Sequence, residues 1–256
     1  MAALFRQDFE AGMLAFYQAR PGEVAGLLRE MAQYFAKFTP GPDNYYIQVF
    51  RWAAVGYSQP VVVTTNYDLL IELAINAVGK LVTYAGRPVK TNNISVLKIH
   101  GSANFLPAME DRQLRGFSIV VPEGASAVDA PVRPAASAAE VIRFCQREDV
   151  LAPAVACYMR GKPILYCPTF VHEQQTAFRE EIGQAKRIII IGLRVNAADA
   201  HIWEPLAKTR SRIDYVGLKA DSAVFEDWAR GQRGKRGVLA NSFAEALPML
   251  RIAFQR

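Results

Sequence analysis

Three short polar stretches each follow an apolar run in this sequence, and each carries side chains able to do chemistry. Thr64-Thr65-Asn66-Tyr67-Asp68 follows Val61–Val63, His100-Gly101-Ser102 follows Ile94–Ile99, and Gly192-Leu193-Arg194-Val195-Asn196, leading on to Asp199 and His201, follows Ile188–Ile191. An asparagine amide can orient a hydroxyl or a water, a carboxylate can accept from one, and an imidazole, with an ordinary pKa of ~6.5, can take up a proton at neutral pH. The same residue types also end strands by bonding the backbone, and Asp68 is placed to cap a helix carrying Leu70, Leu73, Ala74 and Ala77. His172, just after a Pro-Thr turn, reads as a capping or solvent-exposed residue.

The elements that must position these groups can be read from hydrophobic spacing. The runs Val61–Thr65, Ile94–Ile99, Ile164–Tyr166, Ile188–Ile191 and Ile213–Leu218 are rich in β-branched residues and lack polar alternation, as strands of a parallel sheet covered on both faces do. Helical periods separate them. Phe178, Ile182 and Ala185 mark a helix before the Ile188 run; Asp221 is expected to cap one ending near Arg230. Ser242 and Glu245 stand at capping-box spacing before Leu247, Leu250 and Phe254. This alternation predicts an α/β fold with a doubly wound, Rossmann-like parallel sheet, in which ligands bind at the carboxyl ends of the strands. The three polar stretches fall there.

Residues 1–60 form an expected helical segment. Val24, Leu27, Met31, Tyr34 and Phe38 make one helical stripe, and Tyr46, Val49, Phe50, Ala53 and Tyr57 make another after the breaker PGPD, with Asp43 as the expected cap. Residues 107–160 interrupt the strand series with an Ala-, Pro- and Ser-rich loop and a short helix over 141–159. The whole is read as a single domain, 1–256, whose core is 61–106 and 161–256. Trp52, Trp203 and Trp228 fall on helix faces and are expected in the core.

Composition narrows the function classes. With 51% hydrophobic and 21% charged residues the chain is of globular type, and no stretch reaches the ~18 consecutive apolar residues of a membrane span. Asp8 and Glu10 interrupt the place of a signal peptide, so a cytoplasmic location is expected. Three cysteines, Cys145, Cys157 and Cys167, are too few for a disulfide framework and agree with a reducing compartment. The net charge is +6, but residues 201–256 hold 10 basic and 6 acidic groups and so supply +4 of it. Four of these basic residues, Arg230, Arg233, Lys235 and Arg236, lie in ARGQRGKRG, which reads as a solvated loop in preference to a phosphate-binding patch, so nucleic acid is the least expected partner.

The polar stretches resemble a known family. VVVTTNYDLLIELA is similar to the TxNxD strand and turn of the sirtuins, and VLKIHGSANF to their strand ending in His-Gly. KRIIIIGLRVNAADAHIWEPL resembles the later strand that, in the bacterial sirtuin-like branch, ends in Gly before an Asp-x-His segment; PILYCPTFVHEQQTAFREEIGQA and NSFAEALPML fit the same branch. The resemblance implies chemistry on NAD at the bond between nicotinamide and ribose. It points to a NAD glycohydrolase of the prokaryotic NAD-consuming defence branch rather than a zinc-containing deacetylase. By this match His100 is the general base, Asn66 positions the ribose or the attacking water, and Asp68 bonds the ribose or nicotinamide side. Thr65, Ser102, Gly192, Arg194 and Asp199 contact the cofactor, and His201 serves either packing or the cofactor edge. The other implied reading is an inactive relative that binds NAD, ADP-ribose or a partner protein as sensor or scaffold.

The departures from the family carry expectations of their own. The glycine-rich turn that lets a backbone approach pyrophosphate is missing, since the first glycine is Gly12 in a helical stretch. Leu193 and Arg194 stand where the family offers a Thr or Ser, and Arg194 is expected to pair with a phosphate or to fill the pocket. There is no CxxC pair, so no zinc is expected. The family places its first strand between those ending in TTNYD and IIIIG. Another segment, a second chain in a homo-oligomer, or residues upstream of Met1 are therefore expected to supply it.

Overall fold

The computed structural model describes residues 6–56, 60–84, 92–109, 119–120, 126–157 and 163–255. The helical beginning is present. Asp8 accepts from the Ala11 N–H at 3.0 Å and starts α1, Phe9–Ala19, after which the 3-10 turn Pro21–Glu23 leads into α2, Val24–Ala36. The buried face of α2 is Val24, Leu28, Ala32 and Ala36, while Tyr34 is 58% and Phe38 40% exposed. Val24 is thus buried as expected and Met31 packs against the core, but Tyr34 and Phe38 do not, because close helix packing selects the small side chains Ala32 and Ala36. Helix α3, Tyr45–Val55, is capped by Asn44, whose side chain accepts from the Tyr46 N–H at 2.8 Å, and not by Asp43. Tyr57 lies outside the described residues.

Parallel strands follow as expected, in two three-stranded sheets. The first is ordered β1, β3, β2: β1 is Val61–Thr64, β2 Leu81–Thr83 and β3 Asn93–Lys98, with Leu81 in register with Asn93. The second is β10, β9, β8: β8 is Arg187–Ile191, β9 Arg212–Val216 and β10 Arg236–Ala240. This is a mixed α/β structure with parallel sheets, consistent with a Rossmann-like fold. The two strands expected to flank a missing neighbour are each an edge of their own sheet, and their residues Val63 and Ile191 are 37% and 36% exposed.

Four shorter strands make two antiparallel pairs, β4 (Phe105–Pro107) with β7 (Val132–Pro134) and β5 (Ile119–Val120) with β6 (Ser126–Ala127). Ile164–Tyr166 is not a strand; it makes only the isolated bridges Ala156 to Ile164 and Val128 to Tyr166. Pro163 and Pro168 bound it, and Cys167 turns the chain at φ 52°, so no ladder can extend. β2 and β10 give no periodic signal in the sequence, because one has three residues and the other has five interrupted by Gly237.

The remaining helices are α4 (Leu70–Asn76), α5 (Ala138–Cys145), α6 (Pro168–Gln184), α7 (Ala200–Lys208), α8 (Lys219–Ala229) and α9 (Phe243–Gln255). Asp221 lies in the first turn of α8 and makes no cap bond; Leu218 occupies the capping position. In α9 the expected pair works: Ser242 accepts from the Glu245 N–H at 3.2 Å and Glu245 from the Asn241 N–H at 3.0 Å. Trp203 is buried, and Trp52 and Trp228 are half-buried. None of the helices described is long and apolar enough to cross a membrane.

The chain divides into two compact units. One comprises Met1–Thr39, Val63–Leu73 and Lys98–Gln174, and the other Pro40–Val62, Ala74–Leu97 and Gln175–Arg256. In the first, Ala32 and Ala36 of α2 pack with Leu69, Leu106, Val141 and Cys145. In the second, Val216, Ala240, Ala246 and Leu250 form a core with Trp52 against its side. Cys145, Cys157 and Cys167 are free and buried, and burial pushes each thiol up to about 12.

Helix α5 carries a capping box within the first unit. Ser137 accepts from the Glu140 N–H at 3.2 Å, and Glu140 accepts from the Ala136 N–H at 2.9 Å and pairs with Arg133. The Arg133 guanidinium, and then the Ala136 N–H, hold the Glu140 carboxyl below its usual 4.5. A depressed carboxyl stabilises the fold above that value and loses the contribution as pH falls through the lowered one. Denaturant unfolding should therefore show Ser137→Ala costing about 1 kcal/mol at neutral pH. Thermal melts taken through the acid range should fall less steeply for Glu140→Gln than for the unchanged protein.

Candidate functional site

The first unit holds two of the three polar stretches. Strand β1 ends where the Thr64 hydroxyl accepts from the Asn66 N–H at 3.1 Å, which turns the chain, and the Thr64 carbonyl accepts from the Ile99 N–H at 3.2 Å. Thr65 and Asn66 therefore stand just past the strand, Thr65 half-buried and Asn66 exposed. The Asp68 carboxylate accepts from the Leu70 N–H at 3.0 Å and so starts α4, as expected from its position.

Between them Tyr67 points inward and fastens the turn. Its hydroxyl donates to the Ala156 carbonyl at 3.2 Å, its ring lies 5.5 Å from that of Phe35, and its carbonyl accepts from the Ala103 N–H at 3.0 Å. The stretch after β3 is thereby tied to the stretch after β1.

His100 is 4% exposed, and its carbonyl accepts from the Ala156 N–H at 2.9 Å. Gly101 follows at φ 78°, where a Cβ would lie 2.0 Å from the Ala154 carbonyl oxygen, so only glycine fits. The Ser102 N–H donates to that same Ala154 carbonyl at 2.9 Å, and its buried hydroxyl donates to Asn104 Oδ1 at 2.6 Å. Asn104 in turn donates to the Ala135 carbonyl at 3.2 Å. His100 is thus held by main chain on both sides, at the end of a strand and beside the Asn66 turn.

An ion pair that local spacing does not announce lies beneath. Lys98 Nζ is 2.9 Å from Glu72 Oε1 and also donates to the Asp68 carbonyl; the two side chains are 1% and 7% exposed. The Lys98 N–H reaches Gln174 Oε1 at 3.4 Å. The signal that could have found this pair is a lone lysine inside the apolar run Ile94–Ile99, because a lysine buried in a strand needs a carboxylate partner.

Gly192, Arg194 and Asp199 belong to the second unit. Gly192 ends β8 at φ 69°, with its N–H on the Val216 carbonyl at 2.8 Å. The turn beyond is held by Tyr215, whose hydroxyl donates to the Leu193 carbonyl at 3.1 Å and whose ring stacks on Phe225 at 4.4 Å. Burial, reinforced by the Asp221 carboxylate and opposed by Arg194, raises the Tyr215 hydroxyl above its usual 10.0 and keeps it a donor. The Arg194 side chain is 73% exposed, with Nε 3.5 Å from Asp221 Oδ1. Asn196 caps the 3-10 turn Ala197–Asp199 by accepting from the Ala198 N–H at 3.0 Å, Asp199 is buried, and His201 is half-buried at the start of α7. His172, near the start of α6, is exposed.

Residues 60–115 match the family model of the SIR2-like domain. No curated protein matches the chain. The segment bearing Thr65, Asn66, Asp68, His100 and Ser102 is therefore sirtuin-like, in keeping with the resemblance of its motifs.

The buried pair gives this site a measurable support. Lys98→Met leaves the Glu72 carboxylate without its cation and should cost about 3–5 kcal/mol in urea unfolding, whereas Lys98→Met with Glu72→Leu should recover most of the loss. Equal destabilisation by the single and double changes would contradict the coupling.

Proposed function

We propose that this sirtuin-like protein acts on NAD, breaking the bond between nicotinamide and ribose as a NAD glycohydrolase of the prokaryotic NAD-consuming kind. The observation that carries the reading is the placement of His100, buried and clamped by main chain, beside the exposed Asn66 turn within the segment that matches the SIR2-like domain. As the bond breaks, the ribose takes on oxocarbenium character and neutral nicotinamide leaves with the bonding electron pair. Water adds to the ribose carbon, and the His100 imidazole takes its proton.

Asn66 suits the positioning role because its amide both donates and accepts. Asp68 contributes by ordering the turn, since its carboxylate is engaged by the Leu70 N–H. NAD is the substrate in this reading. The exposed Arg194, standing where the family offers a hydroxyl, favours a second reading in which the protein binds NAD or ADP-ribose without turnover, as a sensor.

Nicotinamide release from NAD by the purified protein separates the two. The glycohydrolase reading expects release that His100→Ala abolishes and Asn66→Ala lowers by about 10²-fold or more, with both variants keeping their fold. A rise in melting temperature with NAD and no nicotinamide would leave the sensor reading. Neither effect at millimolar NAD would overturn both.

A further inference from the structure

The basic residues that the sequence assigns to a single loop are gathered by the fold with others far from it. β8, β9 and β10 run parallel, and each begins with an arginine: Arg187, Arg212 and Arg236, with Arg187 in register with Arg212 and Arg236 with Ile213. The residues leading in are basic as well. The Lys186 carbonyl accepts from the Arg212 N–H at 3.2 Å, and the Lys235 carbonyl from the Ile213 N–H at 2.9 Å. Gly234, at φ 85°, comes so close that a Cβ there would lie 2.8 Å from the Arg210 carbonyl oxygen. Lys186, Arg210, Arg233 and Lys235 thus share one rim of this sheet, all exposed.

The rim has few opposing charges. Asp214, 5% exposed, lies between Arg187 (2.6 Å) and Arg212 (2.9 Å), so one carboxylate serves two guanidiniums and a positive charge remains. Glu204 and Asp227 pair with Lys208 and Arg230. Lys186, Arg210, Arg233 and Lys235 have no carboxylate partner among the described residues. Arg236 is occupied within the fold, where its Nη2 donates to the carbonyls of Leu206 (2.8 Å) and Thr209 (3.1 Å) and closes the end of α7.

We propose that this rim docks the phosphodiester backbone of a nucleic acid. Adjacent strands repeat every ~4.8 Å, so the fold sets fixed cations in a row, and guanidinium and ammonium groups are the usual partners of phosphate. A protein partner would need an apolar centre to its interface. None of the exposed large hydrophobic side chains described falls among residues 186–187, 208–212 or 230–236. The Arg-Gly spacing of ARGQRGKRG also suits a backbone-tracking, sequence-tolerant contact. The surface stands apart from the NAD reading and does not depend on it.

The test is fluorescence anisotropy of the intact protein with a labelled single-stranded DNA of about 20 nucleotides, titrated between about 50 and 200 mM salt. Binding should weaken steeply with salt. Changing Lys186, Arg210, Arg233 and Lys235 together to Ala should lower affinity at least tenfold and flatten the log–log salt slope by about 3, at ~0.7 for each phosphate that is no longer neutralised. Circular dichroism and melting should stay unchanged, and a control with Lys37, Arg51, Arg179 and Arg251 changed to Ala should bind within twofold of the original. No binding at the lowest salt, equal loss in the rim and control variants, or equally tight binding of polyglutamate would each overturn the proposal.

Discussion

A single ammonium group sets the geometry on which the candidate site depends. Lys98 is the last residue of β3, two positions before His100, and its Nζ meets Glu72 in the first turn of α4 and the carbonyl of Asp68 just ahead of that helix. Strand end, polar turn and helix start are fixed by one cation. Removing two charges from water is costly, so such a pair persists only with good geometry and satisfied bonds. The consequence is positional: the chain cannot shift β3 by one residue without stranding a charge, and a one-residue slip would move His100 to the other face.

Above this pair, backbone holds the rest of the site. Ala154 and Ala156, from the segment that the sequence presents as an insert, receive and donate the bonds that hold His100, Gly101 and Ser102, while Tyr67 reaches the same segment through its hydroxyl. The insert is therefore part of the site's wall, buried from Val150 to Cys157. Gly101 explains why the approach can be this close: any side chain there would occupy the place of the Ala154 carbonyl.

Much of this is legible in the residues, for physical reasons that differ from element to element. Runs such as Ile94–Ile99 reveal themselves because a strand buried on both faces has no polar alternation, and Asp68 because a cap must sit at the helix start. The stripe that starts at Val24 holds there and misleads at Tyr34 and Phe38, because bulky residues dominate a periodic pattern while small ones make the closest contacts. Tyr67, Lys98 and Glu72 do not stand out as a group because their meeting depends on tertiary register, which local spacing does not contain. The basic rim is hidden for the same cause: Lys186, Arg210 and Lys235 are far apart in the chain and adjacent only at the start of three parallel strands.

The central claim, that the strand-end histidine meets NAD, can be read directly because the chain has only three histidines. In ring proton–carbon spectra, assigned by single substitution, NAD should move the His100 signals in a saturable way and leave those of exposed His172 in place. His100 signals that stay fixed at millimolar NAD would contradict the account.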